Sequence, residues 1–141
     1  MFPLYYFTVS AIYLENDNYD LLSPNYPNQY PNNRTYDWEF QASSRFIVIN
    51  ILDFETEFWY DFVTIEGPGL ELGELGKGNA LHLHGTTHIT RITSELPEVR
   101  VIFNSDVSTP KKGFHMRIEA LEISKYYINY APVSSNIWSL K

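Results

Sequence analysis

The sequence predicts an all-β protein, an antiparallel two-sheet β-sandwich. Three observations predict it. Aromatic residues make up 16% of the chain, with 11 Tyr and 9 Phe, a composition that suits half-buried pleated surfaces. Short alternating or continuous apolar runs recur along the chain. Glycine- and proline-bearing turns separate them, as in a sandwich of many short strands.

The elements follow in order. Phe2 to Ala11 is apolar and ends in Val9-Ser10-Ala11. It reads either as an aromatic first strand or as the core of a signal peptide that lacks the basic start. Ser23-Pro24-Asn25-Tyr26-Pro27-Asn28-Gln29-Tyr30-Pro31 cannot be helix. Proline lacks the donor and pushes the residue before it toward extended geometry. The segment reads as a rigid, extended lead-in to a strand. Tyr36, Trp38 and Phe40 alternate with Asp37, Glu39 and Gln41, the pattern of a half-buried strand. Phe46 to Leu52 is continuously apolar but for Asn50, which predicts a strand buried on both faces. Phe62-Val63-Thr64-Ile65 is the next strand, ended by a turn at Gly67-Pro68-Gly69. Leu72 to Asn79 reads as loop. Ala80 to Thr93 reads as two short strands broken at Gly85. Val99 to Phe103 and Phe114 to Ala120 are two further alternating strands. Tyr126 to Lys141 has four aromatic residues, Tyr126, Tyr127, Tyr130 and Trp138, and no clean period. It reads as a linker, a packing arm or a disordered tail. The chain thus divides into a lead-in or strand (1–20), one domain (21–122) and an aromatic tail (123–141).

Composition bounds the function. A chain of 141 residues with 44% hydrophobic residues can bury a core as one domain. Its net charge of −7 argues against nucleic acid or an anionic membrane as the main partner, since both need basic patches. Cations and basic proteins remain open. No segment is long and apolar enough to span a membrane. The chain has no cysteine, which by itself points to a reducing compartment. The sequon Asn33-Arg34-Thr35 points instead to secretion, with Asn33 as the glycan acceptor.

Three carboxylates sit where strands end. Glu55 and Asp61 flank a short connection, and Asp106 closes the strand Val101-Ile102-Phe103. Carboxylates gathered at one end of a sandwich repel one another, so they need a cation or a shared proton. Calcium, with six to eight oxygen ligands and loose geometry, suits such a set. The sequence alone does not show that the three converge.

The proline-rich lead-in, Trp38, Asp53-Phe54-Glu55, Tyr60-Asp61-Phe62-Val63, Phe103-Asn104-Ser105-Asp106 and Gly113-Phe114 occur in that order. This set resembles the CUB domain family, a jelly-roll-like β-sandwich module of extracellular proteins. The resemblance runs from about Leu22 to Leu121. It implies calcium held by Glu55, Asp61 and Asp106, with backbone oxygens of Ser108 and Thr109 completing the shell. It also implies that Tyr30 hydrogen-bonds the glutamate. Glu57 competes with Glu55 for the ligand role, because the connection to Asp61 is short for the family. Trp59, Tyr60 and Glu57 become candidate partner contacts. The function implied is extracellular protein recognition, cell adhesion included, with a lysine or arginine of a partner protein docked on the acidic site.

The chain departs from the family at its cysteines. Tyr36, Phe58 and Leu75 stand where the family carries them, and the resemblance pairs the last two in a disulfide. A buried Phe58–Leu75 contact is expected to replace that bond. Losing a disulfide costs about 2–5 kcal/mol, and burying two such side chains returns about 3 kcal/mol.

Other readings compete. His82, His84 and His88 have the spacing for a zinc or iron site across two strands. The alternative is a polar strand face with Leu81 and Leu83 inward. His115 reads as surface. Cysteine nucleophiles are excluded, and no serine lies in a Gly-x-Ser-x-Gly motif. A carboxylate pair for glycoside hydrolysis remains open, though a small sandwich seldom offers the groove. The chain is therefore read as a non-enzyme. The rival functions are a calcium-independent assembly module, contacting neighbouring domains or subunits, a glycan-binding module, and a metalloenzyme built on His82, His84 and His88.

Overall fold

The structure, a computed structural model, describes residues 11–14, 18–43 and 46–122. The stretch 2–10, read above as strand or signal segment, and the tail from 123 lie outside the described residues. Among the described residues, nine strands form: β1 (Ile12–Leu14), β2 (Tyr19–Leu22), β3 (Arg34–Ala42), β4 (Phe46–Glu55), β5 (Phe62–Glu71), β6 (Lys77–Leu83), β7 (Arg91–Ser94), β8 (Glu98–Ser105) and β9 (Gly113–Leu121). They hydrogen-bond in the order β1-β3-β8-β5-β7-β4-β9-β2, with β6 on β5. All pairs are antiparallel except β1 with β3. The result is the expected barrel-like sandwich.

Side-chain alternation builds the core. In β8, Val99, Val101 and Phe103 are buried while Glu98, Arg100 and Asn104 are exposed. Ile47, Val48 and Ile49 of β4 are all buried, so the first half of that strand is covered on both faces. The ladder with β9 then slips between Ile51 and Asp53, and Leu52 at the slip is turned out to solvent. Phe40, Phe103 and Phe114 have no exposed surface, each contributing about 1.5–3 kcal/mol by burial.

Two expectations are corrected. Gly67-Pro68-Gly69 does not end β5. It forms an irregularity inside the strand, where the register to β6 shifts between Glu66 and Leu70. Beyond it, Leu70 and Glu71 pair with Ser94 and Thr93 of β7, which joins the two halves of the sandwich. Glycine and proline at a bulge look in sequence like a turn. The loop read over Leu72 to Asn79 is also shorter. A single 3-10 turn covers Gly73–Leu75, and β6 starts at Lys77.

The proline-rich lead-in is fastened to β9 and β4. Ser23 N–H donates to the Phe114 carbonyl (3.0 Å), and Phe114 N–H donates to Ser23 Oγ (2.9 Å). Tyr26 Oη donates to Asp53 Oδ2 (2.5 Å) and Lys112 pairs with the same carboxylate (2.7 Å). Tyr30 is buried, edge-on to Phe103 at 4.9 Å.

Gly113 permits this closeness. It has φ of 88°, and a Cβ there would lie 1.8 Å from Ser23 Oγ and 3.3 Å from the Tyr30 ring. Gly113→Ala is expected to cost about 1–3 kcal/mol from strain and overpacking. A urea midpoint equal to wild type would contradict this account of the lead-in.

Candidate functional site

Glu57 opens a tight turn between β4 and β5. Its carbonyl accepts from the N–H groups of Tyr60 (3.3 Å) and Asp61 (3.2 Å). The turn therefore folds back on residue 57, which brings its side chain beside Asp61. Glu57, Asp61 and Asp106 each present an oxygen, and these atoms lie within 4.8 Å of one another. Glu55 is not in this group. It is the last residue of the β4 ladder, opposite Gly113, and the turn begins after it. Of the two glutamates weighed from sequence, the structure thus brings Glu57 and not Glu55 to the aspartates.

Asp61 has no exposed surface. Tyr30 Oη donates to its Oδ2 (2.5 Å) and Asp106 N–H donates to its Oδ1 (2.7 Å). Tyr30 thus bonds the aspartate, not the glutamate side chain that the resemblance implied. Its hydroxyl accepts from the Glu57 backbone N–H (3.1 Å). Burial and the hydrogen bond to Asp61 push the Tyr30 phenol well above the ordinary tyrosine range, so it stays a donor. Asp106 Oδ1 accepts from Ser108 N–H (3.1 Å), and the Asp106 carbonyl accepts from Asn33 N–H (2.7 Å). Ser108 and Thr109 are exposed on the same loop, with Thr109 at φ of 58°.

The Glu57 carboxyl is raised above the usual range, first by desolvation and then by the charge of Asp106 and a hydrogen bond to it. Its Oε2 is buried without a hydrogen-bond partner, a condition shared among the described residues with Asn32 Oδ1. An orphaned buried carboxylate oxygen is costly unless something fills its place.

Phe58, Trp59 and Tyr60 project from the same turn, each 63% exposed, and Val107 stands out from the Asp106 loop. The expected Phe58–Leu75 contact does not form. Leu75 is exposed in the 3-10 turn, whereas the Phe58 ring meets His84 at 5.0 Å. Phe58 thus faces His84 and Gly85, just past the end of β6. The buried pair and its ~3 kcal/mol therefore fall away.

The histidines do not gather. His82 Nδ1 shares a hydrogen bond with Thr64 Oγ1 (2.9 Å), while Leu81 and Leu83 face the core. His84 accepts from Trp59 N–H (3.2 Å). His88 lines an open groove with Leu72, Lys77 and Arg91, which neither other histidine lines. Among the described residues, only the acidic trio has the geometry of a metal-ligating group. His115 pairs with Asp20 at 2.8 Å.

Comparison with known proteins matches the CUB domain family model over residues 10–118. The chain belongs to the CUB domain family. CUB domains are protein-interaction modules of extracellular proteins, and this places the module outside the cell despite its lack of cysteine. The chain is 33% identical over 123 residues to adhesion G-protein coupled receptor G6 of Danio rerio, covering 83% of this chain and 10% of the receptor. It therefore spans about a tenth of that relative. The full extracellular region of zebrafish Gpr126/Adgrg6 superposes with a TM-score of 0.68 at 31% identity, over 82% of this chain and 15% of that one. The MASP-1 CUB2 domain bound to Ca2+ gives 0.63 at 19% identity, over 77% of this chain and 96% of that domain. No helix among the described residues is long and apolar enough to cross a membrane.

Tyr30→Phe keeps the ring packing and deletes one donor to a buried carboxylate. The expected cost is about 1.5–3 kcal/mol, read as a lower thermal midpoint. An unchanged midpoint would mean that Asp61 does not depend on this bond.

Proposed function

We propose that this CUB domain binds calcium through Glu57, Asp61 and Asp106 and uses the ordered site to dock a basic side chain of a partner protein. The gathered trio with its orphaned Glu57 oxygen carries the reading. A divalent cation would pair that oxygen and offset both the desolvation and the repulsion that raise the Glu57 carboxyl. Hard oxygen donors of this kind suit calcium. The backbone oxygens of Ser108 and Thr109 lie on the Asp106 loop and are candidates to complete the shell. A module of the same fold, MASP-1 CUB2, is described with Ca2+ bound. Glu55 remains a flanking acid in this reading, near Lys112, and not a ligand.

Calcium would supply charge neutralisation and a fixed geometry for two loops. The chain supplies the rest. Its net charge of −7 favours a basic partner. Trp59 and Tyr60 stand exposed beside the acids, where they can cover the aliphatic stem of a lysine or arginine. Because the acids are ordered before docking, little entropy is lost on contact. Recognition and not catalysis is the proposed role. Asn33 is exposed at the edge of this site and is the proposed glycan acceptor. Expression through a secretory pathway should add a glycan that a peptide N-glycosidase removes. Asn33→Gln should lack it.

Thermal unfolding tests the metal. Without calcium, the folded chain holds the Glu57 proton to higher pH than the unfolded chain does. That contribution to stability is present at acid pH and is lost as pH rises through the raised value. At 100-fold excess over its dissociation constant, calcium should add about 2.7 kcal/mol, a midpoint rise of at least about 5 °C. Glu57→Gln should melt no lower than wild type in EDTA at neutral pH, and should lose the calcium response. An equal calcium response in the variant would remove Glu57 from the site. Partner docking is read with a lysine-rich peptide by calorimetry. Its affinity should fall on chelation and on raising salt. Binding that persists in EDTA overturns the docking mechanism.

A further inference from the structure

We infer that His84 is a positioning residue, holding the turn from Glu57 to Asp61 in the shape that gathers the three carboxylates. The inference rests on the reading of that cluster as a cation site. The turn carries two of the three acids, and at its apex Trp59 adopts φ of 67°. A bulky side chain rarely takes this left-handed conformation unless its surroundings impose it.

His84 imposes it in two ways. The Trp59 N–H donates to His84 Nδ1 at 3.2 Å. The imidazole also packs among three rings, with centroids 4.4 Å from Trp59, 5.0 Å from Phe58 and 5.1 Å from Phe62. The next residue completes the latch. Thr56 N–H donates to the Gly85 carbonyl (2.9 Å), and Gly85 N–H donates to Thr56 Oγ1 (3.0 Å). The same hydroxyl donates to the Asp61 carbonyl (2.9 Å). Gly85 has φ of 69°, and a Cβ there would come within 2.9 Å of the Phe58 ring. His84 and Gly85, just past the end of β6, thus hold the apex and the start of the turn, and the Thr56 hydroxyl carries that hold to Asp61.

The acceptor at Nδ1 separates this role from packing alone. Leucine at position 84 would fill space without accepting the Trp59 N–H. Asparagine presents Oδ1 close to where Nδ1 lies and keeps the bond. Calcium titration of the full chain by calorimetry should show an affinity about 10-fold weaker or more in His84→Leu, as for other residues that orient ligands. His84→Asn should recover most of it. Amide hydrogen exchange in EDTA gives a readout that needs no metal. The Trp59 amide should be protected in wild type and in His84→Asn, and lose about 10-fold or more of that protection in His84→Leu. Wild-type calcium affinity and Trp59 protection in His84→Leu overturn the inference. If wild type takes up no calcium, the cation reading fails by itself and the Trp59 amide decides the latch. If His84→Leu does not fold, an unprotected Trp59 amide in wild type overturns it.

Discussion

Asp61 is wholly buried, and both of its carboxylate oxygens are engaged, one by the Tyr30 hydroxyl and one by the Asp106 N–H. A buried carboxylate is tolerated only when such donors replace water. The two donors lie far away along the chain, so a single side chain ties the proline-rich lead-in, the turn after β4 and the loop after β8 into one end of the sandwich. Each of those segments is otherwise irregular. Removing water from Asp61 therefore demands that Tyr30 be seated on Phe103 and that the loop after Asp106 approach closely. Gly113 makes the neighbouring approach possible by leaving room for Ser23 and Tyr30. The binding end of the molecule is in this sense an extension of its core.

That arrangement sets a conflict for the neighbouring acids. Asp61 is paired only by two neutral donors, so its own negative charge is left to repel Glu57 and Asp106. Desolvation first, and then this repulsion, favour the protonated form of Glu57. A proton and a cation are then alternative occupants of the same charge deficit. The first is favoured by acid and the second by calcium, and only the second leaves carboxylate charge to attract a basic side chain. On the proposed reading, metal loading and partner recognition are thus coupled through electrostatics, without any need for a large conformational change.

Much of the fold is legible in the sequence because burial leaves a simple mark. Val99, Val101 and Phe103 alternate with polar residues, and Ile47 to Ile49 run on without interruption, as strands half-buried and fully covered require. Gly67-Pro68-Gly69 was misleading because bulges and turns draw on the same residue types. At the site, the residue types and two of the acids, Asp61 and Asp106, could be read. The choice between Glu55 and Glu57 could not, since it depends on which carbonyl closes the turn. His84 has the residue type of a metal ligand and Leu75 the apolar side chain expected to replace a cysteine, and residue type does not show which of them faces Phe58. The exposure of Leu75 in the 3-10 turn shows that burial was not available there.

The pairing of Phe58 with His84 changes how this end is stabilised, not only what it is made of. A disulfide acts largely by restricting the unfolded chain, so its contribution survives local opening of the turn. Rings in contact and an N–H bonded to imidazole exist only while the turn is closed. They contribute nothing once it opens, and the left-handed Trp59 then relaxes. The turn of a cysteine-free CUB domain is therefore closed by contacts that open with it. A cation bound by Glu57, Asp61 and Asp106 would cross-link the turn to the loop after β8 in the closed state, restoring by coordination part of what a covalent bond provides. Calcium would then carry more of the order of the recognition surface in this chain than in a relative with its disulfide intact. The exposed Trp59 and Tyr60, which stand on that turn, would be the first residues to feel its loss.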